Sequence, residues 1–102
     1  MANKKDLVIV KGQNVAPSDI ESVLSAHRKV AEVAALGIPD EMRGEVVGVA
    51  ISLKRGEVAT ESEVKRFCLE RLANYKVPKQ VVFVDSLPKT PSGEIRREEL
   101  AS

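Results

Sequence analysis

One histidine and one cysteine set a narrow limit on the chemistry available to this sequence. A Ser/His/Asp set needs a histidine held between nucleophile and carboxylate. His27 instead continues the series Ile20, Val23, Leu24, His27, whose i, i+3, i+4, i+7 spacing puts it at the edge of a packed helix face. Cys68 shares an apolar stripe with Val64, Phe67 and Leu72, which predicts a buried structural thiol rather than a nucleophile. A lone cysteine makes neither an intrachain disulfide nor a cysteine-based zinc cage, and a lone histidine makes no multi-histidine metal site. There is no Walker-type loop and no GxGxxG sequence.

Two segments hold more than a bland connector requires. Lys11-Gly12-Gln13-Asn14-Val15-Ala16-Pro17 couples a glycine, where backbone can approach a ligand closely, to a fixed helix start. A plain hairpin turn has the same composition. Pro88-Lys-Thr-Pro-Ser-Gly-Glu-Ile-Arg-Arg97 packs two prolines, a glycine, small hydroxyls and three cations into ten residues. Such a loop can present charge to phosphate or carboxylate, and so can a solvated linker. Residue types alone decide neither case.

The elements that position these segments follow from periodicity and breakers. Leu7–Val10 is a β-branched run closed by the turn residues Lys11–Asn14, which predicts a hairpin. Pro17 at a first helical position, with Asp19 and Glu21 near the positive end of the helix dipole, opens a helix that Arg28-Lys29 ends. Val30–Ile38 reads as a strand, Pro39–Gly44 as a turn, and Val46–Leu53 as a covered central strand; the two strands should pair antiparallel. Thr60-Glu-Ser-Glu63 fits a capping box, with Glu63 reaching back to the Thr60 amide. The following helix shows Lys65, Arg66, Glu70 and Arg71 to solvent. Asn74–Pro78 breaks it, Gln80–Asp85 is a third main strand, and a loop with Ser92 as cap leads into a short last helix. The expected fold class is α+β: about three main strands plus an amino-terminal hairpin, two main helices and a short C-terminal helix.

Length and charge bound the rest. A chain of 102 residues holds one domain with a genuine core. Sixteen Lys+Arg against 15 Asp+Glu give a net charge of +1, which argues against nucleic acid or an anionic membrane as the main partner. No apolar run reaches transmembrane length, and the polar, basic amino end is followed by no signal-type stretch, so a soluble, reducing, cytoplasmic setting is expected.

Set in order, several stretches resemble one family. Lys4-Lys-Asp-Leu-Val-Ile-Val-Lys-Gly-Gln-Asn-Val-Ala-Pro-Ser-Asp-Ile-Glu21, His27 with Val30-Ala-Glu-Val33, Gly37-Ile-Pro-Asp-Glu-Met-Arg-Gly-Glu45, Tyr75-Lys-Val-Pro78 and Leu87-Pro-Lys-Thr-Pro-Ser-Gly93 follow one another as in the C-terminal domain of adenylate-forming acyl-CoA synthetases. Each is weak alone; together they span almost the whole chain. The resemblance implies that residues 1–102 form the mobile C-terminal lid of an acid–thiol ligase for a fatty or aryl acid. The lid is inactive alone and works with a large N-terminal domain that this sequence lacks. The implied reaction uses ATP, Mg2+ and CoA: acid and ATP give acyl-adenylate and pyrophosphate, then the CoA thiol displaces AMP. The small domain rotates between an orientation for each step.

The resemblance also assigns positions. Lys5, beside Asp6, falls at the hinge; Ala2-Asn3 stand where the family usually has Gly-Arg. Gly12 falls at the glycine lining the pantetheine tunnel, flanked by Lys11, Gln13 and Asn14. Lys65, Arg66, Arg71 and Lys76 are candidate contacts for the CoA phosphates. In the loop Lys89, Ser92, Gly93, the next residue is the family's adenylation lysine, which neutralises charge between carboxylate and α-phosphate. Here that residue is Glu94. A glutamate there should impair adenylation severely; it is engineered, or marks a natural member impaired in that step, or one in which the lysine's role has moved. A rival of another class is a free-standing non-catalytic module that binds a partner or CoA in trans.

Overall fold

The structure, a computed structural model, describes residues 7–87. The short C-terminal helix expected from sequence lies outside these residues. The elements run β1 (Val8–Val10), β2 (Gln13–Val15), α1 (Pro17–Ser25), β3 (Val30–Asp40), β4 (Gly44–Leu53), α2 (Glu61–Leu69), a 3₁₀ turn (Asn74–Lys76) and β5 (Gln80–Phe83). This is the expected α+β order, with hairpin and main strands joined in one five-stranded sheet.

β4 is the organising strand. It pairs antiparallel with β3 along its length, from Asp40 opposite Gly44 to Val30 opposite Leu53. Its other edge is shared. β1 meets its start, Val10 opposite Gly44, and β5 runs parallel to its second half, Gly48 opposite Gln80 through Ile51 opposite Phe83. The parallel pair requires a crossover, and α2 supplies it. Val47, Val49 and Ile51 face the helices and pack with Ile20, Leu24, Val64 and Cys68; Ala50 faces the other way, against Ala34 and Leu87. Both faces of β4 are therefore buried, which accounts for its apolar run from Val46 to Ile51. Burying a side chain such as Ile51 stabilises the fold by roughly 1.5–3 kcal/mol.

Four local expectations need correction. The turn placed at Pro39–Gly44 is shorter, because β3 continues through Pro39 and Asp40 and leaves only Glu41, Met42 and Arg43 as the loop. β3 is an edge strand, where a residue lacking an N–H is tolerated. The third main strand stops at Phe83 rather than Asp85. α1 ends at Ser25, so His27 follows the helix; the His27 amide bonds the Leu24 carbonyl at 3.0 Å, and Val30 N–H then bonds the His27 carbonyl at 3.1 Å to start β3. Finally, Thr60 does cap α2, accepting from Glu63 N–H at 3.1 Å, but the Glu63 carboxylate is engaged 3.1 Å from Lys29 Nζ instead of reaching back.

Candidate functional site

Three turns meet at one end of the sheet. The first joins β1 to β2 through Lys11 (φ 51°) and Gly12 (φ 81°), two consecutive left-handed residues that give a two-residue hairpin connection matching the strand twist. Gln13 and Asn14 are not turn residues but the exposed start of β2. The second turn is the β3–β4 loop. The Asp40 carboxylate accepts from the amides of Met42 (3.2 Å) and Arg43 (2.8 Å) and lies 3.6 Å from the Arg43 guanidinium. Gly44, at φ 82°, closes it. The third is the 3₁₀ turn and the chain after it, where Lys79 N–H donates to the Val47 carbonyl at 2.8 Å. The first two turns are tied directly, since Lys11 N–H donates to the Arg43 carbonyl at 2.9 Å.

Between them lies a cavity of about 210 Å³, lined by Val10, Lys11, Arg43, Val46 and Val47 together with Asn74, Tyr75 and Lys79. Three cationic residues thus line one small cleft. Arg43 is partnered by Asp40; Lys11 and Lys79 form no ion pair within the described residues. Such a set suits an anionic group, with Arg43 offering a fork and the lysines mobile point charges. The Tyr75 ring, 37% exposed, adds a flat surface at the rim.

Of the positions singled out from sequence, Lys11 lines this cleft and Gly12, Gln13 and Asn14 adjoin it. The four proposed phosphate contacts do not. Lys65 pairs with Glu61 one helical turn away at 2.7 Å, and Arg66 stands exposed on α2. The Arg71 guanidinium lies 3.7 Å above the Phe67 ring and donates to the Phe67 carbonyl. Lys76 points to Asp19 on α1, at 3.4 Å. Lys5, Asp6, Lys89, Ser92, Gly93 and Glu94 lie outside the described residues. Arg43 and Lys79 were missed, although both stand in or beside stretches that carry the family resemblance. Exposure on a helix does not select cations set on turns.

Elsewhere the titratable groups are structural. Hydrogen bonding from Lys29 holds Glu63 below the usual carboxylate range, with burial opposing the shift. His27, buried, accepts the Lys29 amide at Nδ1 (3.1 Å) and meets the Phe67 ring edge-on at 4.6 Å. Burial pushes the Cys68 thiol up to about 11, so it stays protonated and inert at neutral pH, as its stripe position predicts. Among the described residues no group of three His, Cys, Asp or Glu could hold a metal ion, and no helix is long and apolar enough to cross a membrane.

The family model for the AMP-binding enzyme C-terminal domain matches residues 19–94. The chain belongs to this family. The match runs through the cleft's Arg43 and Lys79 and ends at Glu94. Among similar proteins is the Rhodococcus jostii 3-[(3aS,4S,7aS)-7a-methyl-1,5-dioxo-octahydro-1H-inden-4-yl]propanoyl:CoA ligase, 47% identical over 94% of this chain and 19% of that protein. The oxalate–CoA ligase of Saccharomyces cerevisiae is 41% identical over 95% of this chain and 18% of its own length. The crystal structure of ATP-bound MatB from Rhodopseudomonas palustris superposes with a TM-score of 0.92 at 37% identity, over 98% of this chain and 20% of that one. The chain therefore spans about a fifth of the length of the relatives it matches. An AMP-binding C-terminal domain of this kind accompanies ligases named for a bulky bicyclic propanoate and for oxalate alike. Likeness in this domain does not track the acid.

Proposed function

We propose that this chain is the C-terminal domain of an ATP-dependent acid–thiol ligase, which rotates against a large N-terminal domain between an adenylating and a thioester-forming orientation. The cleft of Lys11, Arg43 and Lys79 beside the exposed Gly12 turn is the observation that carries this reading. A domain that closes over CoA needs cations for its phosphates and, next to them, a strip of backbone with no side chain where the pantetheine arm passes. Lys11, Arg43 and Lys79 fill the first need, in place of Lys65 and Arg66 on α2, Arg71 just after it, and Lys76 near the cleft. Gly12 fills the second, with Gln13 and Asn14 as flanking wall. Lys5 and Asp6 act as the hinge.

In the adenylating orientation residues Ser92, Gly93 and Glu94 approach the reacting carboxylate and α-phosphate. ATP is a substrate of that step and Mg2+ supplies charge neutralisation there. Glu94 brings a negative charge to an anionic centre, so this domain favours the second half-reaction: the CoA thiol attacks the acyl-adenylate carbonyl, the carbonyl–phosphate bond breaks, and AMP leaves. The acid is bound in the N-terminal domain, which sets its identity, and the isolated chain turns over neither step. The intact mass of the native gene product, read by mass spectrometry of source lysate, tests the domain assignment. A product about five times this length carrying these peptides is expected. One near 11.1 kDa would replace the ligase reading by a free-standing module that binds a partner or CoA in trans.

A further inference from the structure

The hairpin that carries Lys11 and Gly12 is small, two strands of three residues, and β2 has β1 as its only strand partner among the described residues. Val8, Val10 and Val15 anchor it on the core side. Along its backbone it touches the rest of the sheet at few points: the ladder to β4 registers a single pair, Val10 with Gly44, and Lys11 N–H reaches the Arg43 carbonyl. A further hydrogen bond comes from a side chain. Glu45, half-buried on β4, accepts the Ile9 N–H at Oε1, at 2.9 Å.

Glu45 has room for this because Gly37, two residues along β3 from its paired Pro39, carries no side chain. A Cβ built on Gly37 would stand 2.6 Å from Glu45 Oε2, closer than side chains tolerate, so any residue but glycine there displaces the carboxylate. Glu45 directly follows the Arg43-Gly44 turn and forms no ion pair within the described residues. Its carboxylate therefore fixes β1 against the start of β4, next to the loop that carries Arg43, and with it the distance from Lys11 to the other two cations.

Resting on the reading of the cleft as an anion site, we infer that Glu45 is a positioning residue that sets the Lys11–Gly12 turn against Arg43 and Lys79. The sign of its effect separates this role from a simple charge. Removing a carboxylate near a cationic cleft strengthens anion binding if only charge matters. Removing a tether spreads the cations and weakens it.

The test uses the full 102-residue chain, with CoA alone as probe, read by amide chemical shifts and hydrogen exchange. Glu45→Ala is expected to speed exchange at Ile9 and Lys11 and to weaken CoA binding by between about two- and tenfold, the range for one lost hydrogen bond. Gly37→Ala, which leaves every charge in place, should act in the same direction, whereas Glu45→Gln keeps an acceptor and should stay near wild type. Unchanged or tighter CoA binding in Glu45→Ala would overturn the positioning role. If the wild-type chain shows no CoA-dependent shifts, the anion reading of the cleft falls by itself. Glu45 is then judged on exchange alone, and unchanged protection at Ile9 and Lys11 overturns the tether.

Discussion

Gly12 and Gly56 form a matched pair that separates stability from function. Both sit in turns at nearly the same angle, φ 81° and 83°, and a Cβ on either meets nothing within 4 Å. Steric crowding within this chain therefore adds nothing to an alanine substitution at either site. What remains is the cost of holding an L-residue in the left-handed region, roughly 1–2 kcal/mol. Gly12→Ala and Gly56→Ala should thus lower the melting temperature alike, by about 4–8 °C per kcal/mol in a domain of this size, measured by calorimetry or circular dichroism. Their effects on catalysis should diverge. In a ligase carrying this domain, assayed well below both melting temperatures with supplied acyl-adenylate and CoA, Gly12→Ala is expected to slow thioester formation by more than about tenfold, the scale of a misplaced reactant. Gly56→Ala, in the Lys54–Glu57 turn, should leave it within about twofold. Equal slowing by both would reduce the Gly12 effect to stability, and no slowing by Gly12→Ala would remove Gly12 from the thiol's path.

Three further outcomes follow from the same geometry. Lys79→Ala should raise the KM for CoA in such a ligase with little change in kcat, while Lys65→Ala, which breaks only the exposed pair to Glu61, should change neither; steady-state kinetics at varied CoA checks both. The Glu63 carboxylate is held below its ordinary value of 4.5 in the fold, so it stabilises the native state above that value and loses its contribution as pH falls through the lowered one. Glu63→Gln should accordingly lower the melting temperature at pH 7 and converge with wild type as pH falls below the lowered value, with a smaller gap in 1 M salt. Glu94→Lys should raise adenylation, read as pyrophosphate exchange, without much change in thioester formation; equal exchange rates in the two forms would show that residue 94 does not act at that step.

Much of the fold is legible in the sequence because local signals and packing agree. Pro17 opens α1 and Thr60 caps α2 as their types require. The run Val46–Leu53 is apolar on both faces because β4 is covered on both. The signals that misled are those settled by partners distant in sequence. Pro39 looks like a strand breaker until β3 is known to be an edge. Glu63 has the spacing of a capping box, yet Lys29, brought near by the turn after α1, outbids the Thr60 amide for its carboxylate. The parallel pairing of β5 with β4 leaves no mark on either strand's composition. The candidate site was half legible: motif order drew attention to Lys11 and Gly12, whereas Arg43 and Lys79 come to them only through sheet register. Helix periodicity, which selected Lys65, Arg66 and Arg71, carries no information about turns.

The central claim is that this domain completes the thioester-forming site of an acid–thiol ligase. The most direct test replaces the matching segment of the Rhodococcus jostii CoA ligase with residues 1–102 and measures CoA thioester formation from that enzyme's own acyl-adenylate, supplied ready-made. The chimera is predicted to form the thioester well above the rate of the ligase body lacking the segment, and to lose that gain on Gly12→Ala. A folded chimera no faster than the truncated body would contradict the account.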